Sequence, residues 1–211
     1  KAEAVLTISS GMLAGKLVIE ELTSQTDYFF HFPDTHTAIK AINSLPIFIG
    51  NKLNPRLLDT KAEKITVLTD AVPSFHVNPI DLSILNSIPS NKEITLVIDE
   101  SHTLGILGKN GCGIFSTVDL PNIKRKIMVA SLGKAFGLTG GVIASDSEFI
   151  NQMRNHDTFV SSAGMNAAFV QTMTDAAAIY LEQYQKLRDN LNYIDTHLIK
   201  NRAIRFAPNY P

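Results

Sequence analysis

The sequence predicts a doubly wound α/β domain with a largely parallel central sheet. Short apolar runs rich in β-branched and aromatic residues recur along the chain, and their near-continuous hydrophobicity is typical of strands buried on both faces. Helical patterns lie between many of these runs, as expected for alternating strands and helices. The predicted strands are 28–32, 47–49, 65–68, 94–98, 127–130 and 142–144.

Four segments carry apolar residues at helical spacing, which predicts helices over 12–22, 35–44, 79–88 and 166–199. The third of these opens with Pro79, a residue common at the first position of a helix. The fourth contains neither proline nor glycine, so we expect one long helix there. It would connect the sheet domain to whatever follows Tyr210.

Composition excludes several classes of function. The chain has 211 residues, 45% hydrophobic and 18% charged, and its net charge is -1, which is ordinary for one large globular domain. We therefore expect no nucleic-acid partner and no membrane association. Because Cys112 is the single cysteine, an internal disulfide and a Cys-rich zinc site are excluded. We predict no metal site and a cytoplasmic location.

Both ends of the chain interrupt a pattern. The sequence begins with Lys1 and enters an apolar run at 4–6, and it stops just after 204–206, which is typical of the start of a strand. We therefore expect a fragment of a longer protein.

Lys134 lies in Ser-Leu-Gly-Lys-Ala-Phe-Gly, directly after the predicted strand 127–130. Burial at a strand end lowers the pKa of a lysine and so favours the neutral amine that Schiff-base chemistry needs. Flanking glycines allow a bulky group to approach the backbone. A lysine in an ordinary surface loop is the alternative interpretation.

Asp99 emerges at the carboxyl end of the apolar strand 94–98, the edge where open α/β sheets bind ligands. A carboxylate there can pair with a protonated pyridine nitrogen, and His102, three residues later, can donate a hydrogen bond to the same ligand. The alternative is that Asp99 or Ser101 caps a turn and His102 is exposed.

Weaker signals come from Ser9-Ser10-Gly11-Met12, where free N–H groups at a helix start can bind phosphate. Ser131 and Ser162 are further hydroxyls that could hold phosphate. His36, after the strand 28–32, could lay a flat ring on a flat cofactor, although a histidine there is more often a loop residue.

Together these motifs resemble the fold-type I pyridoxal-phosphate enzymes of aminotransferase class II, and within them the α-oxoamine synthases. The resemblance covers nearly the whole chain. It implies a three-layer α/β/α sandwich with a mostly parallel mixed sheet. Residues 1–200 would be the N-terminally truncated large domain, and 201–211 would begin an otherwise missing small domain. His36 favours the oxoamine synthases, because ordinary aminotransferases usually stack another aromatic residue there.

The resemblance implies roles around the ring of pyridoxal 5'-phosphate. Lys134 carries the cofactor as a Schiff base and moves protons at the substrate α-carbon. Asp99 pairs with the pyridinium nitrogen, His102 and Ser74 lie near the phenolic oxygen, and His36 stacks on the ring. Lys134, His36, Asp99 and His102 are the predicted catalytic residues.

It also implies a phosphate site. Gly11 and Met12 offer backbone N–H groups and Ser131 offers its hydroxyl. Ser162 touches the phosphate of a partner in a homodimer.

The implied reaction condenses an amino acid with an acyl-CoA to give an α-amino ketone. Four features depart from the family pattern. Asp70 stands where glutamate is usual, Cys112 where arginine is usual, and Met165-Asn166 where Pro-Pro is common. The loop 74–79 is about two residues short.

Three alternatives remain. One is a pyridoxal-phosphate aminotransferase, and another is a degenerate, non-catalytic homologue that uses the fold for dimerisation or ligand sensing. A nucleotide-binding α/β domain is disfavoured, because no G-x-G-x-x-G turn follows the first strand.

Overall fold

A computed structural model describes residues 2–59, 61–198 and 210–211. Its centre is a seven-stranded sheet in the order β1-β9-β8-β7-β6-β2-β3, and β4 and β5 form a separate hairpin. The strands are β1 Ala4–Ile8, β2 Tyr28–His31, β3 Leu45–Pro46, β4 Phe48–Ile49, β5 Lys52–Leu53, β6 Lys64–Asp70, β7 Glu93–Asp99, β8 Ile123–Ser131 and β9 Gly141–Ser145.

The middle of the sheet is parallel. β2, β6, β7 and β8 pair in parallel, whereas β9 runs antiparallel to both β8 and β1. The register places Asp70 opposite Asp99, and Asp99 opposite Val129. The carboxyl ends of these strands therefore meet at one edge of the sheet. The predicted mostly parallel mixed sheet is confirmed.

Among the described residues, five α-helices accompany the sheet: α1 Gly11–Leu22, α2 Ser147–Arg154, α3 Asp157–Val160, α4 Ala167–Asp175 and α5 Ala177–Leu198. α1 packs across β8 and β9, and α2 packs along β1. Their apolar sides bury a core that includes Leu17, Val97, Ile127 and Phe149. Side chains alternate along a strand, so the residues next to Val97 in β7 and next to Ile127 in β8 point to the opposite face of the sheet.

That second face is covered largely by irregular chain. Its core includes Phe30, Val67, Leu96 and Ile98, under the loops that surround a 3-10 turn at Ser83–Ser87. α4 completes the layer at the end of the sheet, where Phe169 and Met173 pack near Ala130 and Val142. The three-layer arrangement is present, with α1 and α2 forming one outer layer.

The helix predicted over 35–44 is wrong. This segment forms isolated turns, in which the imidazole of His36 accepts the N–H of Ala38 at 3.2 Å and Ser44 donates its hydroxyl to the carbonyl of Ala41 at 2.7 Å. Such local side-chain hydrogen bonds compete with helical ones. Ile42, which the helical pattern counts as apolar core, is fully exposed.

The helix predicted over 79–88 is reduced to the 3-10 turn. The buried residues Leu82, Leu85 and Ile88 recur every third position, the period of a 3-10 helix. Asp81 accepts the N–H of Ser83 at 2.8 Å, which starts the turn there. Pro89 follows Ile88 and disfavours helical backbone at that residue.

Two further boundaries differ. The single long helix predicted from 166 is two helices, α4 and α5, separated at Ala176, whose backbone departs from helical values (φ -90, ψ 11). Of the strand predicted over 47–49, Ile47 lies in a bend after β3 and residues 48–49 form β4, whose hairpin with β5 turns at Gly50 (φ 59). The predicted domain boundary near residue 200 lies outside the described residues.

Within the described ranges, no helix combines the length and apolar character needed to cross a bilayer.

The contact between α1 and the segment after β2 gives a test of the packing. A Cβ added to Gly15 would lie 2.6 Å from the carbonyl oxygen of Ala38. We expect Gly15→Ala to lower the free energy of unfolding by roughly 1–3 kcal/mol, because a forced backbone shift outweighs the gain of about 1 kcal/mol in helix propensity. Urea denaturation measures this.

Gly164→Ala is the matched control. A Cβ at Gly164 meets no atom within 4 Å, so we expect a nearly unchanged midpoint. A Gly15→Ala variant as stable as the original chain would contradict the close approach.

Candidate active site

Asp99 is the last residue of β7 and is 7% exposed. Its Oδ1 accepts the N–H of Ser101 at 2.9 Å, which folds the chain back just beyond the strand. The carboxylate therefore does cap a turn, as in the simpler interpretation of the sequence. The same turn, however, directs the half-buried ring of His102 toward the loop after β8.

Lys134 meets His102 at the carboxyl edge of the sheet. Its Nζ lies 2.8 Å from Nε2 of His102, and Oγ of Ser74 lies 3.3 Å from the same nitrogen. The lysine side chain as a whole is exposed, but its partial burial lowers the pKa of Lys134, while the negative charges of Asp99 and Asp70 oppose that change. Lys134 is thus neither a deeply buried lysine nor an isolated surface one.

The pKa of His102 is also lowered, first by partial burial and then by the positive charge of Lys134. A neutral imidazole has one acceptor nitrogen. While Lys134 is protonated it can only donate, so Nε2 of His102 then accepts in this contact and Nδ1 carries the proton. The pair can thus pass a proton between an amine and a ring nitrogen.

Asp70 lies beside Asp99 in the register of β6 and β7, and it is 2% exposed. Burial raises the pKa of Asp70 to about 7, the charge of Asp99 adds to the rise, and the hydrogen bond from the backbone of His36 opposes it. From sequence, Asp70 is recognisable only as a departure from a family pattern. Its position at a strand end, in register with Asp99, is the signal that could have identified it.

The start of α1 lies against the end of β8. A Cβ on Gly11 would sit 2.7 Å from both Cα and Cβ of Ser131, so only glycine fits there. Ser10 caps α1 by accepting the N–H of Leu13 at 3.1 Å. The structure therefore brings the N-terminus of α1, with Gly11 and Met12, next to Ser131. N–H donors at a helix start beside a hydroxyl are suited to an anion.

Ser101 joins these two halves of the edge. Its buried hydroxyl accepts the N–H of Ser131 at 2.7 Å, so the turn that carries His102 is tied to the end of β8. From sequence alone, Ser101 is recognisable only as a possible cap. A small hydroxyl directly after Asp99 was the available signal.

Glu100 is fully buried and was also missed. Its Oε1 accepts the N–H groups of Ile114 at 2.8 Å and Phe115 at 2.5 Å, and Thr103 donates its hydroxyl to the same carboxylate. Burial raises the pKa of Glu100. The carboxylate of Glu100 fixes the loop that follows the turn. Nothing in the sequence indicates that this charged side chain points into the protein.

α5 supports the lysine loop from outside. The phenol of Tyr180 donates to the carbonyl of Phe136 at 3.0 Å, two residues after Lys134, and the two rings pack 4.9 Å apart. Tyr184 donates in the same way to the carbonyl of Gly108 at 2.9 Å. The long helix thus holds the loops on either side of the site.

Two predicted site residues stand apart from the Lys134–His102 contact. His36 is exposed on the segment after β2, and its backbone N–H donates to Asp70, which lies beside Asp99 in the sheet. The hydroxyl of Ser162 donates to the carbonyl of Phe159 at 3.1 Å, a local contact beyond α3. The role predicted for Ser162 involves a partner chain and stays a prediction.

The raised pKa of Asp70 predicts a pH-dependent stability. Between the ordinary value of 3.8 and about 7, the folded chain binds more protons at Asp70 than the unfolded chain does. The contribution of Asp70 to stability therefore falls as pH rises through this window, by at most about 1.4 kcal/mol per pH unit, and is constant above it. Asp70→Asn removes that slope, which urea denaturation between pH 5 and pH 8 measures.

Asp27→Asn is the control, because backbone hydrogen bonds from Lys64 and Glu63 lower the pKa of Asp27 and confine its effect to more acidic pH. An Asp70→Asn variant whose stability keeps the pH slope of the original chain would contradict the assignment.

Comparisons with known proteins agree with this geometry. The family model for aminotransferase class I and II matches residues 77–207. A putative 8-amino-7-oxononanoate synthase of Rippkaea orientalis is 26% identical over 212 residues, covering 94% of this chain and 55% of that protein. The chain thus spans about half the length of the curated relatives it matches.

Two solved structures show the same fold. A variant of serine palmitoyltransferase from S. paucimobilis, with a bound PLP–myriocin aldimine, has a TM-score of 0.75 and 20% identity, covering 94% of this chain and 53% of that one. An 8-amino-7-oxononanoate synthase from Francisella tularensis has a TM-score of 0.64 and 22% identity, covering 98% and 63%. Since the family model covers more than half of the chain, this protein belongs to the aminotransferase class I and II family.

Proposed function

We propose that this chain is the cofactor-binding part of a pyridoxal-phosphate-dependent acyltransferase, which condenses an amino acid with an acyl-CoA to give an α-amino ketone. The observation that carries the proposal is the 2.8 Å approach of the Lys134 amine to His102 at the strand edge that also holds Asp99. In this proposal residues 1–200 form the cofactor domain and 201–211 begin a small domain.

The residues at the edge fit the cofactor. Lys134 offers an amine whose pKa is lowered, as attachment to an aldehyde carbon requires. The buried carboxylate of Asp99 suits a protonated ring nitrogen, and the adjacent Ser74 and His102 suit a phenolic oxygen.

The close packing of Gly11 on Ser131 leaves backbone N–H groups at a helix start and a hydroxyl for the phosphate.

When bound, pyridoxal phosphate supplies an electron sink for the negative charge that develops at the substrate α-carbon. The chain's own residues would manage protons and orientation around it. Lys134 takes the α-proton and returns it after the carbon–carbon bond forms. Asp99 keeps the ring nitrogen protonated, and His102 holds the amine of Lys134 in place.

The substrates are proposed from the names of the relatives. Curated relatives named 8-amino-7-oxononanoate synthase and the structural likeness to serine palmitoyltransferase support an amino acid and an acyl-CoA as substrates. A cytoplasmic homodimer, in which Ser162 reaches the partner's phosphate site, belongs to the same proposal. The lone Cys112 is consistent with a reducing compartment.

An aminotransferase is the second candidate, favoured by the family to which the chain belongs. Both reactions begin with an amino acid on the same cofactor. They differ in whether the amino group stays on the cofactor or leaves with the product.

Replacing Lys134 tests cofactor attachment. We expect Lys134→Ala to lose the visible absorbance of covalently bound pyridoxal phosphate and to lower activity by roughly 10²–10⁴-fold, because both the attachment point and the proton carrier are removed. Borohydride reduction followed by peptide mass spectrometry should place the cofactor on Lys134 in the original chain.

Lys124→Ala is the matched control, since Lys124 pairs with Glu93 at 2.7 Å near the opposite edge of the sheet. It should keep the absorbance and the mass shift. A cofactor that attaches elsewhere, or none at all, would refute the proposed function.

Half-reactions separate the two enzyme types. With amino acid alone, an aminotransferase converts the bound cofactor to its amine form, whereas the proposed acyltransferase releases coenzyme A only when an acyl-CoA is added. We expect thiol release that depends on both substrates, followed with a thiol reagent. Conversion by amino acid alone would favour the aminotransferase, and binding without either reaction would favour a non-catalytic homologue.

A further inference from the structure

A buried acid at the site has no role in the reaction described above. Asp70 ends β6, is 2% exposed, and lies directly beside Asp99 in the sheet. Burying a carboxylate next to another one is unfavourable unless each gains hydrogen bonds. The contact that Asp70 makes is therefore informative.

Oδ1 of Asp70 accepts the backbone N–H of His36 at 3.0 Å, across 34 residues of sequence. The neighbouring residues anchor the same segment. Thr35 is buried and its hydroxyl contacts the carbonyls of Phe32 at 2.7 Å and Leu68 at 3.2 Å. The backbone of this segment is thus fixed from β6 at the point where His36 begins.

The side chain of His36 is fixed as well. Its Nδ1 accepts the N–H of Ala38 at 3.2 Å, so in the neutral ring Nε2 carries the proton. The ring is exposed, and the hydrogen bond to Asp70 places its backbone at the strand edge that also holds Asp99. An exposed imidazole whose backbone and one ring nitrogen are both restrained is positioned to contact a bound ligand.

We propose that Asp70 is the positioning residue for His36, holding the imidazole where it stacks on the cofactor. This inference rests on the proposed function, because the stacking partner is pyridoxal phosphate. In this role Asp70 accepts a hydrogen bond from the backbone of His36, whereas Asp99 contacts the ring nitrogen of the cofactor.

The test is a double-mutant cycle in the full chain, with the dissociation constant for pyridoxal phosphate as the readout. Asp70→Leu keeps the branched shape and removes the acceptor, while Asp70→Asn keeps an oxygen that can accept the N–H of His36. We expect Asp70→Leu and His36→Ala each to weaken binding roughly tenfold, and Asp70→Asn to restore most of the loss.

The decisive comparison is the double variant. If Asp70 acts through the imidazole, Asp70→Leu added to His36→Ala weakens binding no further. A merely structural role would give additive effects, because the loss of Asp70 would then act whether or not the imidazole is present. Additive effects, or an Asp70→Leu variant that binds as tightly as the original chain, would overturn the inference.

Two controls complete the experiment. Asp27→Ala removes an acid that accepts the N–H groups of Glu63 and Lys64, both at 2.8 Å, at the opposite edge of the sheet, and should leave the dissociation constant unchanged. If Asp70→Leu does not fold, Asp70→Ala takes its place in the cycle. Failure of the original chain to bind pyridoxal phosphate would refute the proposed function and this inference together, whereas normal binding with an additive cycle would refute only the inference.

Discussion

The parallel register of β6, β7 and β8 is the constraint on which the site depends. It places Asp70 beside Asp99 and Asp99 beside Val129, so the two carboxylates and the chain leading to Lys134 leave the sheet at the same edge. Hydrogen bonds then connect the strand ends, as in the contact of Ser101 with Ser131 at 2.7 Å. A slip of one residue in this pairing would turn either acid to the other face.

The strands of the parallel centre were predictable from sequence because their burial on both faces leaves nearly continuous apolar runs, as in 94–98. The helix at 12–22 was predictable from its periodicity and is confirmed as α1. The segments 35–44 and 79–88 were mispredicted because apolar spacing alone does not register competing hydrogen bonds, such as those of His36 and Asp81. Nothing in the sequence marks the break at Ala176.

The candidate site was predictable where chemistry follows directly from a strand end. Lys134, Asp99 and His102 were predicted in this way, and the structure brings Lys134 and His102 into contact. Asp70 and Glu100 were not identified, because an acidic residue in a sequence does not show whether it faces solvent or a backbone donor. Asp70 accepts a hydrogen bond from His36, and Glu100 accepts hydrogen bonds from Ile114 and Phe115. These partners are distant in sequence and become neighbours only in the fold.

The charges at this edge are arranged to receive a cation. Asp70 and Asp99 lie side by side with little exposure, and burial together with the charge of Asp99 raises the pKa of Asp70 to about 7. Near neutral pH the edge therefore carries less negative charge than two free carboxylates would. The amine of Lys134 offsets part of what remains, but its own pKa is lowered by burial. A ligand with a protonated ring nitrogen would place a positive charge beside Asp99. The carboxylate of Asp99 would in turn keep that nitrogen protonated. The pair of acids thus suits the same cofactor that is proposed for Lys134, for an independent electrostatic reason.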